Sequence, residues 1–351
     1  MRHPRRAWIA VLLAVPMAAL AGCGGGAEKG DDERAMVTLT ELFASQDSPA
    51  DNLDSLAYWP PGPWVLATAK STDQLVVLDA RDGRILRKVG ERGDALGQFR
   101  RPNGVAVAGD LALVTERDNH RVHVLRLPTL EPLGVFGADV LRSPYGLAVL
   151  AGADGQLEVY VTDNYVDAGL ATPPASELGA RVKHFRAKID ESGLEAHLLR
   201  AFGDTSGAGV LATVESIAAD ARWNRLLIAD ETRGVQNIKV YSLAGEFTGQ
   251  VIGAGLFKGE PEGIALIERG EGGFWVATDQ RRPRTVFHLF DRRDLRHLGS
   301  AVGEMTANTD GITTGECEAN EEGRLFAVHD DRAVVAFSCA ALLHALGLGT
   351  R

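Results

Sequence analysis

Pro102-Asn103-Gly104-Val105-Ala106-Val107 returns in altered form as Pro144-Tyr145-Gly146-Leu147-Ala148-Val149, Val214-Glu215-Ser216-Ile217-Ala218-Ala219, Pro261-Glu262-Gly263-Ile264-Ala265-Leu266 and Thr309-Asp310-Gly311-Ile312-Thr313. Each opens a short strand. Each is followed by a second apolar run that ends in polar residues: Glu116-Arg117, Asp163-Asn164, Asp230-Glu231, Asp279-Gln280 and, one residue on, Asp330-Asp331. A third run with period-two alternation follows in several units, as in Val122-His123-Val124-Leu125 and Ile238-Lys239-Val240-Tyr241. The same form is legible earlier, with Asp54 to Trp59, Trp64 to Ala69 ending at Lys70, and Leu75 to Leu78.

Six units therefore share one strand order. Their second runs end at Lys70, Arg117, Asp163, Asp230, Asp279 and Asp330, spaced by 47, 46, 67, 49 and 51 residues. The long interval holds a proline-containing insertion, Tyr165 to Gly179. Repeats of about 40 to 50 residues with three or four strands each predict an all-β fold, a six-bladed β-propeller. Two packed β-sandwiches would not give six units of one order. The last unit has no clear fourth strand after Val334 to Ser338, and the strand-like segment Met36 to Phe43 is expected to close the ring. Composition agrees: 40 glycines against 12 Phe, 5 Trp and 5 Tyr suit many tight turns between short strands. Trp59, Trp64, Trp223 and Trp275 read as packing between blades, and Ala341 to Leu348 as a short terminal helix.

Residues 1–22 read as an address rather than as fold. Arg2, Arg5 and Arg6 precede the apolar run Ala7 to Leu20, and Leu20-Ala21-Gly22 stand directly before Cys23. These small residues before a cysteine resemble the lipobox of bacterial lipoproteins, which implies acylation of Cys23. The alternatives are ordinary secretion with cleavage near Ala21 or a short uncleaved anchor. Residues 23–35 then form a flexible tether and 36–351 the propeller domain, held by lipid at the bacterial envelope on its periplasmic or surface side. Removing three arginines and no acids leaves 34 Lys and Arg against 47 Asp and Glu, a net charge of -13. That balance disfavours nucleic acid as a partner, and a monomer is expected. Cys317 and Cys339 remain, and an oxidising compartment allows a disulfide between them.

In a propeller the first strand of each blade lines the central channel. Polar residues at its entry and at the end of the second strand gather near one mouth. The gathered set is Asp54, Lys70, Asn103, Arg117, Tyr145, Glu215, Glu231, Glu262, Gln280, Asp310 and Asp330, with Glu260 beside it. Carboxylates converging from different blades repel unless cations neutralise them. Ca2+ is the expected counter-ion, because oxygen donors from scattered carboxylates and amides suit its loose coordination. Zinc is not expected, since no His/Cys cluster has ligand spacing. Lys70 and Arg117, at matching ends of units one and two, are candidates to grip a phosphate, and salt bridges to neighbouring blades are their plainer reading.

Two family resemblances follow. Gly97-Gln98-Phe99-Arg100-Arg101-Pro102-Asn103-Gly104-Val105-Ala106-Val107, then Asp118-Asn119-His120-Arg121-Val122-His123-Val124, resembles an NHL repeat, a scaffold signature. The order of Asp54-Ser55-Leu56-Ala57-Tyr58-Trp59, Ala67-Thr68-Ala69-Lys70, Val214-Glu215-Ser216-Ile217, Ala229-Asp230-Glu231, Glu260-Pro261-Glu262-Gly263, Thr278-Asp279-Gln280 and Asn308-Thr309-Asp310-Gly311 resembles that of β-propeller phytases, over about residues 50 to 340. That resemblance implies several Ca2+ ions held by Asp54, Tyr145, Glu215, Glu231, Glu260, Glu262, Gln280 and Asp310, with Lys70 and Arg117 gripping phosphate. The catalytic set it implies is Lys70, Arg117, Glu215, Glu262 and Asp310. The reaction it implies is attack of metal-activated water on a phosphomonoester such as phytate, with no covalent phospho-enzyme. This chain departs from the family at three positions: Ser55 replaces a second Asp, Asn164 replaces a phosphate-binding Lys, and Glu260 replaces Asp. Arg181 or Lys183 is expected to compensate at 164.

The competing reading is a non-catalytic NHL-like propeller lipoprotein that binds an envelope protein or ligand at the same mouth. Other calcium propeller hydrolases, such as lactonases, would call for a channel histidine pair. His120 and His123 read instead as surface residues, and His184, His288 and His329 show no paired spacing. Walker loops, serine nucleophile elbows and nucleotide fingerprints are absent from the sequence, which sets aside ATP-driven and serine-hydrolase chemistry.

Overall fold

The six apolar repeats become six antiparallel sheets in the computed structural model, which describes residues 36–152, 155–317 and 322–349. The expectations for residues 1–35, including Cys23, lie outside the described residues. Blade one is Leu53–Trp59, Trp64–Ala69, Gln74–Asp79 and Ile85–Val89; blade two is Pro102–Ala108, Leu111–Glu116, Arg121–Arg126 and Glu131–Phe136. Blade three is Pro144–Ala151, Gln156–Asp163, Val182–Asp190 and Gly193–Phe202; blade four is Ile217–Asp220, Arg225–Asp230, Asn237–Ser242 and Phe247–Ile252. Blade five is Glu260–Arg269, Gly272–Gln280, Val286–Asp291 and His297–Gly303; blade six contributes Ile312–Gly315, Arg324–His329 and Ala333–Ser338. The first strands neighbour one another all the way round and so form the inner wall.

Strand alternation explains the near-continuous apolar runs. On a strand successive side chains point to opposite faces, and in a propeller both faces meet another blade. In blade one, Val65, Ala67, Val76 and Leu78 pack with Phe326 and Val334 of blade six. Their sequence neighbours Leu66, Leu75 and Val77 pack with Val105, Ala112 and Val114 of blade two. Six such clusters lie between the six pairs of adjacent blades, so the core is a ring of seams. The helix Cys339–Ala345 caps the seam between blades five and six with Leu342 and Leu343, and the Ser338 hydroxyl accepts from the Ala341 N–H at its start. It begins two residues before the expected segment.

The N-terminal segment does close the ring, but it divides in two. Phe43–Ala44 pairs antiparallel with Ala333–Ser338 and supplies the missing fourth strand of blade six. Val37–Leu39 instead adds to blade five, parallel to His297–Gly303. Glu41 sits between the two pieces, and its carboxylate accepts the backbone N–H of Met305 at 3.1 Å and of Thr306 at 3.0 Å. Cys317 and Cys339 are joined as a disulfide. Of the four packing tryptophans, Trp59 and Trp275 are buried, while Trp223 is exposed and lies against Arg225.

Candidate metal centre

The polar pairs at the ends of the second strands divide by role. The first member turns inward and holds its own blade. Glu116 Oε1 accepts from Arg121 at 2.7 Å and lies 3.0 Å from His123 Nδ1, and Oε2 accepts the Arg100 N–H at 3.0 Å. Asp163 binds Lys183 at 2.9 Å and the Ser143 N–H at 2.6 Å. Asp230 binds Lys239 at 2.5 Å and the Ala212 N–H at 3.1 Å, and Asp279 takes the Gly259 N–H at 2.6 Å. Each acid ties the loop before a first strand to the end of the second, which fixes where that first strand enters the channel. His123, expected at the surface, is therefore buried in one of these clamps, and His288 is buried 3.5 Å from Asp279.

In blades one, two, four and five the second member reaches a residue of the mouth, while Asn164 in blade three accepts the Val214 N–H at 3.4 Å. Lys70, Arg117, Asn164, Glu231 and Gln280 follow blades one to five at this phase, while Asp330 of blade six is taken up by Arg282 and Arg332. Inside them stands a ring with one residue per blade: Asp54, Asn103, Tyr145, Glu215, Glu262 and Asp310 line one narrow opening. Threonines fix the ring's backbone. Thr68 donates to the Asn103 carbonyl at 2.6 Å, Thr115 to that of Tyr145, and Thr162 to that of Glu215 at 2.7 Å. Glycine follows the ring residue in four blades because the next blade presses on it: a Cβ on Gly146 would lie 2.3 Å from the Glu215 carbonyl oxygen, and one on Gly311 2.3 Å from that of Asp54.

Charge within the ring is uneven. On the side of blades six and one, Lys70 Nζ lies 2.9 Å from Asp54 and donates to Asp310 at 3.1 Å. Gln280 donates to the other oxygen of Asp310. Burial opposes the Lys70 charge, yet the two aspartates outweigh it and raise the pKa above the ordinary lysine value. On the side of blades four and five, Glu215, Glu231 and Glu262 bring carboxylate oxygens within 4.8 Å of one another. None of the three is ion-paired among the described residues. Burial, then Glu262 and Glu215, push Glu231 far above the carboxylate range; burial, then Glu215 and Asp310, do the same to Glu262. Burial, then Asp54, lift Glu215 to about 8, and burial, then Asp54, lift Asp310 to about 7.

Unpaired groups point to what is held here. Glu231 is 8% exposed and its Oε1 is buried with no hydrogen-bond partner; both amide atoms of Asn103, 1% exposed, are likewise unpaired. A buried polar atom left unsatisfied costs about 1–3 kcal/mol. Hard oxygen donors of this kind match Ca2+, so the residues present fit the ion that the sequence implied. Glu260 lies at the outer rim beside this corner, close enough to push up the pKa of all three glutamates. Arg117 sits across the mouth, bonded to Asp118 at 2.7 Å and to the Tyr145 hydroxyl.

Two expectations need correction. Arg181 and Lys183 cannot stand in for a missing lysine at 164: Arg181 is fully buried and donates to the carbonyls of Asp163, Tyr165, Leu211 and Ala212, and Lys183 is held by Asp163. Lys70 does not stand open toward a phosphate either, because both of its aspartates engage it. Sequence reasoning named every member of the ring and chose Arg117, Glu231 and Gln280 over the acids beside them; it did not foresee the clamps that those acids form.

Comparison with known proteins agrees with this architecture. The NHL repeat model matches residues 99–125, which form most of blade two. The chain is a six-bladed β-propeller carrying an NHL repeat. No curated protein matches it in sequence. Among solved structures it is similar to a calcium-binding protein, regucalcin, from Agrobacterium tumefaciens strain C58, with 12% identity, 86% of this chain and 95% of that one covered, and a TM-score of 0.51. A chain of the nidogen/laminin complex gives 15% identity, 77% and 87% coverage and a TM-score of 0.48, and the Dos1 propeller 11%, 86% and 72%, and 0.46. At 12% identity the likeness to regucalcin speaks to the fold alone.

Proposed function

We propose that this propeller is a Ca2+-dependent phosphomonoesterase of the β-propeller phytase type, acting on phytate or a related phosphoester. The observation that carries the reading is the corner formed by Glu215, Glu231 and Glu262, three enclosed carboxylates with no ion-pair partner among the described residues. That the regucalcin neighbour is a calcium-binding protein is in keeping with it. When bound, Ca2+ would supply charge for the phosphate oxygens and lower the pKa of a water. Arg117 has N–H donors beyond those that Asp118 and Tyr145 engage, and it is the residue to orient a phosphate oxygen. Lys70 offsets one of the two charges on Asp54 and Asp310, so that wall repels a polyanion less than its two carboxylates alone would. The chain would act as a monomer, lipid-anchored through Cys23 at the bacterial envelope, a placement that rests on the sequence of residues 1–23.

The test is phosphate release from phytate and from a simple phosphomonoester, with excess Ca2+ and with chelator. Calcium-dependent release supports the reading. No release from folded, calcium-loaded protein would turn it toward a binding propeller that holds an envelope ligand at the same mouth.

A further inference from the structure

We propose that His288, His297 and Ser300, on the outer two strands of blade five, form a metal site of a different kind from the mouth, one for a single borderline divalent ion such as Zn2+. The site is independent of the mouth and of the activity proposed for it.

The strand ladder builds it. Val286–Asp291 pairs with His297–Gly303, and His288 stands directly opposite Ser300 on one face. A bulge then shifts the register, so that Phe290 faces His297 instead of Leu298, and the second histidine comes round to the face of the first. The two imidazole rings lie 5.5 Å apart. Both aim a nitrogen at one atom: Ser300 Oγ is 2.7 Å from His288 Nδ1 and 3.0 Å from His297 Nε2. In the sequence the two histidines are separated by a strand end, a turn and a bulge, a spacing with no ligand signature.

Too few protons are available to satisfy this arrangement. His288 is buried, and its Nε2 lies 3.5 Å from the Asp279 carboxylate with no other partner among the described residues, which favours a proton on Nε2 and a lone pair on Nδ1. His297 is hydrogen-bonded to the Gly299 backbone in the sense that raises its pKa, as a ring N–H giving to a carbonyl does, so its Nε2 also presents a lone pair. Two lone pairs thus face a hydroxyl that has one proton to give. A further proton does not fill the gap at neutral pH, because partial burial of the ring, then His288, outweigh that bond and hold His297 below the ordinary histidine value. Neutral imidazole nitrogens suit Zn2+, and a carboxylate behind a ligating histidine orients it. Phe257, edge-on to His288 at 5.2 Å, and Phe290, 5.4 Å from His297, supply an apolar wall, while the exposure of His297 leaves room for water as a fourth ligand.

Blade two shows the same clamp without an ion. His123 holds the equivalent place, with Nδ1 3.0 Å from Glu116, but its Nε2 accepts the Gly97 N–H at 3.3 Å, so one histidine completes that clamp. A serine nucleophile would likewise need one imidazole; the second, carried in by the bulge, has no role in that chemistry.

The experiment titrates Zn2+ into the full-length chain with Ca2+ in large excess, which competes for the mouth carboxylates, and reads binding by competition with a chromophoric chelator. The expected result is one Zn2+ per chain that Ca2+ does not displace, weakened at least tenfold in His297→Ala and unchanged in His197→Ala, which removes the exposed histidine beside Glu195. Cu2+ in the same place should show hyperfine coupling to two ring nitrogens by electron paramagnetic resonance, and to one in His297→Ala. Absence of bound zinc in the presence of Ca2+, or zinc lost in His197→Ala and kept in His297→Ala, would overturn the proposal. If His297→Ala does not fold by circular dichroism, the nitrogen count from Cu2+ in the unaltered protein decides: two supports the site, and fewer overturns it.

Discussion

The carboxyl groups of Glu231 and Glu262 approach each other across the seam between blades four and five, with Glu215 alongside and ligand oxygens within 4.8 Å. Without an ion such a group must hold protons. Glu215, ordinarily near 4.5, is raised to about 8. Between those values the folded chain binds more protons than the unfolded one, so stability falls as pH rises through this window. Thermal melts in chelator are expected to show Tm decreasing from about pH 5 to about pH 8, and saturating Ca2+ is expected to flatten that slope. A Tm that rises with pH in chelator would contradict the arrangement.

Glu262→Gln keeps the shape of the side chain and removes its negative charge. Calcium-dependent phosphate release is expected to drop by roughly 100-fold, toward the upper end of losses when groups supporting a metal site are changed. Asp310→Asn should act similarly, since it removes a ring carboxylate and one of the two aspartates that position Lys70. Far-ultraviolet circular dichroism should be unchanged in both; full activity in both variants would remove these residues from the site.

Gly146 touches the ring from outside. Its Cβ, if present, would press on the Glu215 carbonyl oxygen at 2.3 Å, an atom that also accepts from Thr162. Gly146→Ala is expected to destabilise the fold by about 1–3 kcal/mol, as overpacking does, and to weaken calcium binding by moving Glu215. Thr162→Val should cost about 1 kcal/mol through the lost hydrogen bond. Melts and calcium titration of the two variants check both statements.

The disulfide joins Cys317, just after the first strand of blade six, to Cys339 at the start of the terminal helix, 22 residues apart. Replacing both with serine is expected to cost about 3 kcal/mol on chain-entropy grounds for a loop of this length. The same loss should follow reduction, measured as a fall in denaturation midpoint with and without dithiothreitol.

Much of this molecule was legible because the repeat is physical. Val65, Leu66 and Ala67 alternate between two seams, so the pattern of apolar runs carried the blades. The ring was legible for the same reason: Asn103, Tyr145, Glu215, Glu262 and Asp310 share one phase. What the sequence did not show is what holds the other member of each polar pair. Asp230 and Glu231 look alike on the page, yet one is held by Lys239 and the other has an oxygen with no partner. His123 was misread because its buried partner, Glu116, lies on the neighbouring strand. The division of Met36 to Phe43 depends on Glu41 reaching Thr306, a contact across 265 residues that no local pattern encodes.

The pairing of Phe43–Ala44 with Ala333–Ser338 also sets an order in time. Residues near the beginning of the chain must wait, unpaired, until the residues of the last sheet have been made, so five blades can assemble while the sixth still exposes a raw edge. Contacts separated by this much chain are slow to form, and an uncovered strand edge is a template for another chain. The shortest strand among the described residues therefore guards the interval in which a newly made copy is most exposed to its neighbours.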